Sequence, residues 1–209
     1  MMTFNQWWKS MYQSDLHAPL FYTMPVGLRF EIGPVEYSTD DPNYFKIAEQ
    51  RVRTIWNDLF APEDEVYVVL HIFHSPGLVY RRHRFLERYF YVRPSLSQLA
   101  YEVLPNPYDK EDNDTKILRF SIKTTIANVK KRVIIQKSVW KDFTGTGIFN
   151  DFELYIVRIK DGVVYYLYDD RGLDVVGNSK APLQALYDTH TSLLLDYDIG
   201  KMKQQFQTP

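Results

Sequence analysis

Two adjacent carboxylates, a guanidinium and a glycine, Asp169-Asp170-Arg171-Gly172, are the residues of this chain whose types and spacing most directly suggest chemistry. Neighbouring carboxylates at a strand end can hold a hard cation such as Mg²⁺, and an arginine beside them can grip a phosphate or carboxylate through a two-pronged hydrogen bond. The same residues also make a good turn. Gly172 supplies a positive φ, Asp170 can bond its own turn amides, and Arg171 can be neutralised by a nearby aspartate. Alternation along a strand sends Asp169 and Asp170 to opposite faces unless the chain bends there, which weighs toward the turn.

Other candidate chemistry is thinner. His71 and His74 are the one close histidine pair, and on a strand residues three apart face opposite ways, so no metal site is expected from them. His17, His83 and His190 have no partner at ligand spacing. "TGTGIFND" lacks the third glycine of a dinucleotide loop and follows a helix rather than a strand. The chain contains no phosphate-loop, nucleophile-elbow or zincin motif, so the balance is against an enzyme, and no cofactor is expected. Charge is more telling. From Lys116 to Lys141 eight basic residues occur without an acidic one, and "YRRHRFLER" adds Arg81, Arg82, Arg84 and Arg88. Asp161, Asp169, Asp170, Asp174, Asp188, Asp196 and Asp198 gather in the C-terminal part. The basic stretch could track a nucleic-acid backbone, or be the solvated face of a strand and helices.

The elements that must position these groups follow from periodicity. With 209 residues, net charge −1 and 45% apolar residues, the chain can bury a full core as a single α+β domain over 1–209. The absence of cysteine excludes thiolate catalysis, disulfides and Cys-based zinc fingers. No signal-like start and no apolar run of ~20 residues is present, so the expectation is a cytoplasmic protein that does not enter a membrane. "FNQWWKSMYQ" predicts a short helix, and Val26, Leu28, Phe30 and Ile32 alternate as a strand. Asp41-Pro42 should start a helix carrying Tyr44, Ala48, Val52, Ile55, Trp56 and Leu59 on one face. "EVYVVLHIFH" then reads as a central strand, completing a β-α-β unit. "GLVYRRHRFLERYFYV" reads as helix and "SLSQLAYEVL" as a further turn or two of helix. "PNPYDKEDNDT" is a proline-broken loop at 105–115, where two lobes would divide.

Beyond it, "KILRFSIKTTI" alternates as a strand. Asn128 can cap a helix in which Val129, Val133 and Trp140 share a face, although Val133-Ile134-Ile135 also fits a strand. "DFELYIVRI", "VVYYLYD" and "LDVV" form a three-stranded meander, and Ser179 then caps a helix. The expected fold is thus α+β: a mixed or antiparallel sheet with helices packed on it.

"YLYDDRGLDVV", followed by "LQALYDTH" and "LLLDYD", resembles a bacterial family known as domain of unknown function 3885, marked by a Tyr-Asp-Asp-Arg-Gly signature. "LFYTMPVGLRFEIG", "AEQRVRTIWNDLFAPEDEVYVV" and "KDFTGTG" extend the likeness. The resemblance implies no established reaction, cofactor or catalytic set. It implies that Tyr168, Asp169, Asp170, Arg171, Gly172 and Asp174, with Asp196 and Asp198, form a fold-defining network or a partner-binding surface. With opposed charge clusters and many tyrosines, the leading expectation is a protein-interaction module of immunity or antitoxin type, whose acidic end meets a basic toxin. The alternative is a metal-assisted phosphoesterase or nucleotide-handling enzyme using the Asp-Asp-Arg cluster.

Overall fold

The computed structural model describes residues 2–74, 87–93, 99–109, 111, 114–143 and 152–207. Two short helices, α1 (Phe4–Met11) and α2 (Leu20–Thr23), precede β1 (Val26–Glu31), α3 (Tyr44–Leu59) and β2 (Glu65–His74). The hairpin β3 (Leu99–Pro105) and β4 (Lys116–Thr125) follows, then α4 (Lys131–Val139). The meander β5 (Phe152–Arg158), β6 (Val164–Leu167) and β7 (Gly172–Gly177) leads into α5 (Gln184–Thr189) and α6 (Ile199–Gln207).

One sheet contains all seven strands in the order β1-β7-β6-β5-β2-β4-β3, and each neighbouring pair is antiparallel. The expected α+β class therefore holds, and so does the meander. β1 and β2 run parallel across α3, as a β-α-β unit requires, but the meander is inserted between them. The 105–115 segment joins two neighbouring strands of this sheet.

Strand alternation sorts the core into two layers. On β2, Val66, Val68, Leu70 and Ile72 face one cluster, which α3 fills with Ala48, Val52, Ile55 and Trp56, α4 with Ile134, Ile135 and Val139, and α6 with Met202 and Phe206. Each large side chain buried there stabilises the fold by roughly 1.5–3 kcal/mol. The other face, with Tyr67, Val69, Tyr155 and Val157, packs against the N-terminal segment through Phe4, Trp7, Trp8, Leu16 and Leu20. A capping box of Thr3 and Gln6 starts α1, so this thin cover has a defined origin.

Several local expectations are corrected. Leu99–Pro105 is an edge strand rather than helix: its Leu-Ala-Tyr-Glu-Val-Leu composition has no strong local preference, and the ladder to β4 decides. Asn128 does not cap α4; its amide accepts from Val92 N and donates to Val92 O and Thr124 Oγ1, bracing the 91–93 turn, while α4 starts after Lys130. Asp41 accepts from Asn43 N, and α3 begins at Tyr44 with Asn43 at its N-cap, two residues later than the Asp-Pro signal suggests. Lys180, and not Ser179, precedes the one-turn helix that leads into α5. Most of the helix read over 77–92, and "TGTGIFND" at 144–151, lie outside the described residues. Among the described residues no helix is long and apolar enough to cross a membrane.

Candidate functional site

The Asp-Asp-Arg-Gly turn connects β6 to β7, with Tyr168 N donating to Gly172 O at 3.3 Å. It is tied to the end of β1 because Arg171 O accepts from Ile32 N at 3.0 Å. Gly172 does not have the expected positive φ; among the described residues that conformation belongs to Gly162. Gly172 is required for a different reason, since a Cβ there would overlap the Tyr168 ring and hydroxyl. The two aspartates also exchange the roles read from sequence. Asp169 Oδ1 accepts from Arg171 N at 2.8 Å, and Arg171 Nε and Nη2 donate to Asp169 Oδ2. Asp170 accepts from Tyr44 Oη at 2.8 Å, and burial together with this bond pushes the Tyr44 phenol up. Asp142 joins the pair: one oxygen from each of Asp142, Asp169 and Asp170 lies within 4.8 Å of the others, a spacing from which carboxylates can hold a cation.

Asp174 and Asp198 belong to a separate clasp on the thinly covered face. Asp174, only 1% exposed, accepts from Arg29 Nε at 3.0 Å and from Phe21 N at 3.2 Å. Arg29 Nη1 donates to Asp198 at 3.2 Å, and Tyr22 Oη donates to the same carboxylate at 3.0 Å. Burial pushes the Asp174 carboxyl up despite Arg29 beside it. The clasp ties α2, β1, β7 and the 196–198 turn into one unit. Asp196 points outward and takes no part, whereas Tyr197 is 86% exposed and Arg171 75%. Of the expected acidic surface, Asp169, Asp170, Asp174 and Asp198 are buried.

A second ionic network, unread in the sequence, crosses the same face of the sheet. Register places Glu102 on β3 opposite Arg119 on β4, Arg119 opposite His71 on β2, and His71 opposite Glu153 on β5. The side chains meet along that row. Arg119 Nε donates to His71 Nε2 at 2.9 Å, Nη2 to Leu16 O at 3.4 Å, and Nη1 stands 3.6 Å from Glu102. An arginine only donates, so Nε2 is the bare nitrogen of His71 and the proton sits on Nδ1. Nδ1 stands 3.4 Å from Glu153 Oε2 without a hydrogen bond, an electrostatic contact only. Glu153 accepts instead from Tyr108 Oη and Tyr155 Oη, both at 2.6 Å. Burial pushes Glu153 up, but its bonding partners outweigh this and hold it below the ordinary carboxylate range. Burial also lowers His71, so the ring is neutral.

The signal that could have exposed this row is one ionisable residue in each of three otherwise apolar runs: His71 in "VYVVLHIF", Arg119 in "ILRFSI" and Glu153 in "FELYIV". Such residues are kept in a core only when paired.

The basic stretch Lys116 to Lys141 does not form one surface. Arg119 is buried, Lys123 pairs with Glu65 at 2.8 Å, Lys131 donates to Asn57 at 2.7 Å, and Lys141 donates to Phe152 O at 3.4 Å. Lys130 and Lys137 instead converge with Arg88 and Arg93 around an open concavity of about 580 Å³. The Phe90–Val129 bridge brings these two sequence regions together. Exposed Tyr91 stands there with Lys130 5.8 Å from its ring, and the acid of the concavity, Glu87, faces Arg93 at 3.4 Å. Arg81, Arg82 and Arg84 lie outside the described residues.

Comparison with known proteins places these features in a family. The family model "Domain of unknown function (DUF3885)" matches residues 4–198, from the first helix through the clasp, and the chain belongs to that family. It is similar to the Uncharacterized protein YnaE of Bacillus subtilis (strain 168), 18% identical over 196 residues that cover 88% of this chain and 92% of the relative. No solved structure matches the chain.

Proposed function

We propose that this member of the DUF3885 family is a protein-interaction module of the immunity or antitoxin type, and that its contact surface is basic rather than acidic. The observation that carries the reading is the concavity where Arg88, Arg93, Lys130 and Lys137 meet beside exposed Tyr91 and Val92. Cations around an aromatic anchor steer and then hold an acidic protein segment. A basic toxin docking on the YDDRG end is less well supported, because Asp169, Asp170, Asp174 and Asp198 are buried and bonded within the chain.

The test is fluorescence anisotropy with a labelled polyglutamate peptide and a single-stranded oligonucleotide of equal charge. The peptide should bind with an affinity that falls with salt, and Lys130→Glu with Lys137→Glu should weaken it by roughly tenfold or more. Binding of the oligonucleotide alone would replace the protein reading with a nucleic-acid one, and failure of both ligands would remove it.

The second reading is a metal-assisted phosphoesterase, favoured by the convergence of Asp142 with Asp169 and Asp170. Arg171, which would bind the substrate's phosphate, is already paired with Asp169. If it holds, Mn²⁺ raises the melting temperature and Asp142→Ala abolishes the rise; an unchanged melting temperature dismisses it.

A further inference from the structure

The His71 row does not end in packed core. Buried Arg119 and His71 lie at the floor of a cavity of about 400 Å³, which the 15–17 segment, the 104–109 loop and the start of β4 enclose. Leu16, Leu104, Pro105, Pro107 and Ile117 supply its apolar lining. None of the lining residues belongs to the basic concavity, so the two sites stand or fall separately.

Charge around this cavity is unevenly met. Arg119 is 4% exposed, and burial lowers its guanidinium against the pull of Glu102 and Asp15, so these counter-charges do not make good the water it has lost. Glu102 stands 3.6 Å away and is 30% exposed, and Asp15 is exposed, so solvent weakens the hold of both. A guanidinium carries five N–H groups, of which Nε is committed to His71 at 2.9 Å and one on Nη2 to Leu16 O at 3.4 Å. Nη1 has the long contact to Glu102 and no closer acid among the described residues. Lys116 also lines the cavity and has no ion pair among the described residues. Asp109 at the rim is already engaged, accepting from Glu111 N at 2.9 Å. The floor therefore lacks negative charge, whereas the acids nearby are in use within the chain.

We infer that this cavity binds a small apolar monocarboxylate, its carboxylate on Arg119 and its hydrocarbon tail against Leu104, Pro105 and Pro107. Apolar walls around one polar anchor are the usual build of a small-molecule site, and the volume excludes a folded partner. A planar carboxylate suits the paired donors of a guanidinium. The anchor is oriented in advance, because neutral His71 accepts from Arg119 Nε and adds no charge of its own. The wall is braced as well. Tyr108 Oη donates to Glu153 at 2.6 Å and accepts from Ala18 N at 2.9 Å, pinning the loop to the sheet and to the N-terminal segment, so the ordering cost is met on folding. A second carboxylate on the ligand would lie against apolar walls or beside Asp15, and an ammonium would meet Arg119 and Lys116 with like charge.

The probes are 4-methylpentanoate, 4-methylpentanamide, hexanedioate and L-leucine, read at low ionic strength by calorimetric titration and by the melting temperature of the full chain. 4-Methylpentanoate should bind and raise the melting temperature. The amide lacks the charge and hexanedioate carries a second one, so each should be weaker by roughly tenfold or more. L-Leucine should bind no better than 4-methylpentanoate, since its ammonium finds no uncommitted acid. Arg119→Gln should abolish binding. Because Arg119 is buried and its loss can compromise folding, Lys116→Glu is the second variant: the side chain is half-buried at the end of β4, and reversing its charge should weaken 4-methylpentanoate by roughly threefold or more. The inference falls if no probe binds, if the amide or hexanedioate matches 4-methylpentanoate, if leucine binds more tightly than it, or if Lys116→Glu binds it as the parent does.

Discussion

The row through His71 and the clasp around Arg29 lie on the same thinly covered face of the sheet, and they are built in opposite senses. In the clasp one cation, Arg29, serves two carboxylates, Asp174 and Asp198, and lies at the edge where β1 meets β7. In the row a carboxylate, Glu153, sits deep at the centre and collects two tyrosine hydroxyls with a neutral histidine beyond. The clasp can lose its ion and adjust, since Asp174, already raised by burial, takes up a proton. The row has no such exit. Glu153 is held ionised by its donors, and its removal strands the buried Tyr155 hydroxyl and takes from Tyr108 the acceptor that anchors it to the sheet.

Glu153→Ala is therefore expected to be the most damaging single change. Breaking a buried ionic network by deleting one partner costs about 3–5 kcal/mol. Urea unfolding of the full chain measures it, and a loss under ~1 kcal/mol would mean that the row is ornamental. Arg29→Ala should cost less, about 1.5–3 kcal/mol, the range for hydrogen bonds to charged groups. If the two variants proved equally costly, the proposed asymmetry between row and clasp would be wrong.

Acidity separates the networks by sign. His71 is lowered from 6.5, so below that value the unfolded chain takes up a proton that the native ring refuses, and stability falls as pH drops from 6.5 toward the native value. Glu153, lowered from 4.5, adds the same trend below 4.5. Asp174 is raised above 3.8, so the native state holds the extra proton and acidification through that window favours folding. Glu153, Arg119 and His17 are the charged or titratable groups acting on His71. Urea midpoints at pH 7.5, 6 and 5 should thus decline in the parent and decline less in His71→Gln. The deficit of Arg29→Ala should shrink at the acid end; a deficit that grows there would reverse the assignment for Asp174.

Legibility in the sequence divides along the same line. β1, α3, β2 and the meander were readable because Val26 to Ile32, Tyr44 to Leu59 and the β-branched runs carry their period within one segment. The YDDRG turn was located for the same reason, while the roles inside it were not: Gly172 answers to Tyr168 packing, and Asp170 to a hydroxyl from α3. The row joins residues of four strands, with 48 positions between Arg119 and His71. Register between distant strands is a tertiary property, so no local pattern specifies it. β3 was misread as helix because an edge strand half open to solvent has no apolar run to mark it, and its Glu102 shows its purpose only opposite Arg119.

Gly172→Ala probes the turn that connects β6 to β7. A methyl group overlapping the Tyr168 ring is an overpacking change of about 1–3 kcal/mol, and Tyr168→Ala should remove most of it in a double-mutant cycle. Additive effects would mean that glycine is needed for its backbone after all.

Arg171→Ala should produce the smallest effect. Its guanidinium pairs with Asp169, but at 75% exposure water already solvates the ion, and exposed pairs contribute about 0–1 kcal/mol. Asp169 keeps its bond from the Arg171 backbone N–H, which survives the substitution. Unfolding should therefore move by less than about 0.5 kcal/mol. The outcome matters because a family signature that includes an arginine of no structural consequence needs another reason to carry it. A near-neutral Arg171→Ala beside a costly Arg29→Ala would assign the fold to the clasp and leave Arg171, with the outward-facing Asp142, as the part of the YDDRG end open to a ligand or partner. A loss comparable to that of Arg29→Ala would instead make the whole motif structural.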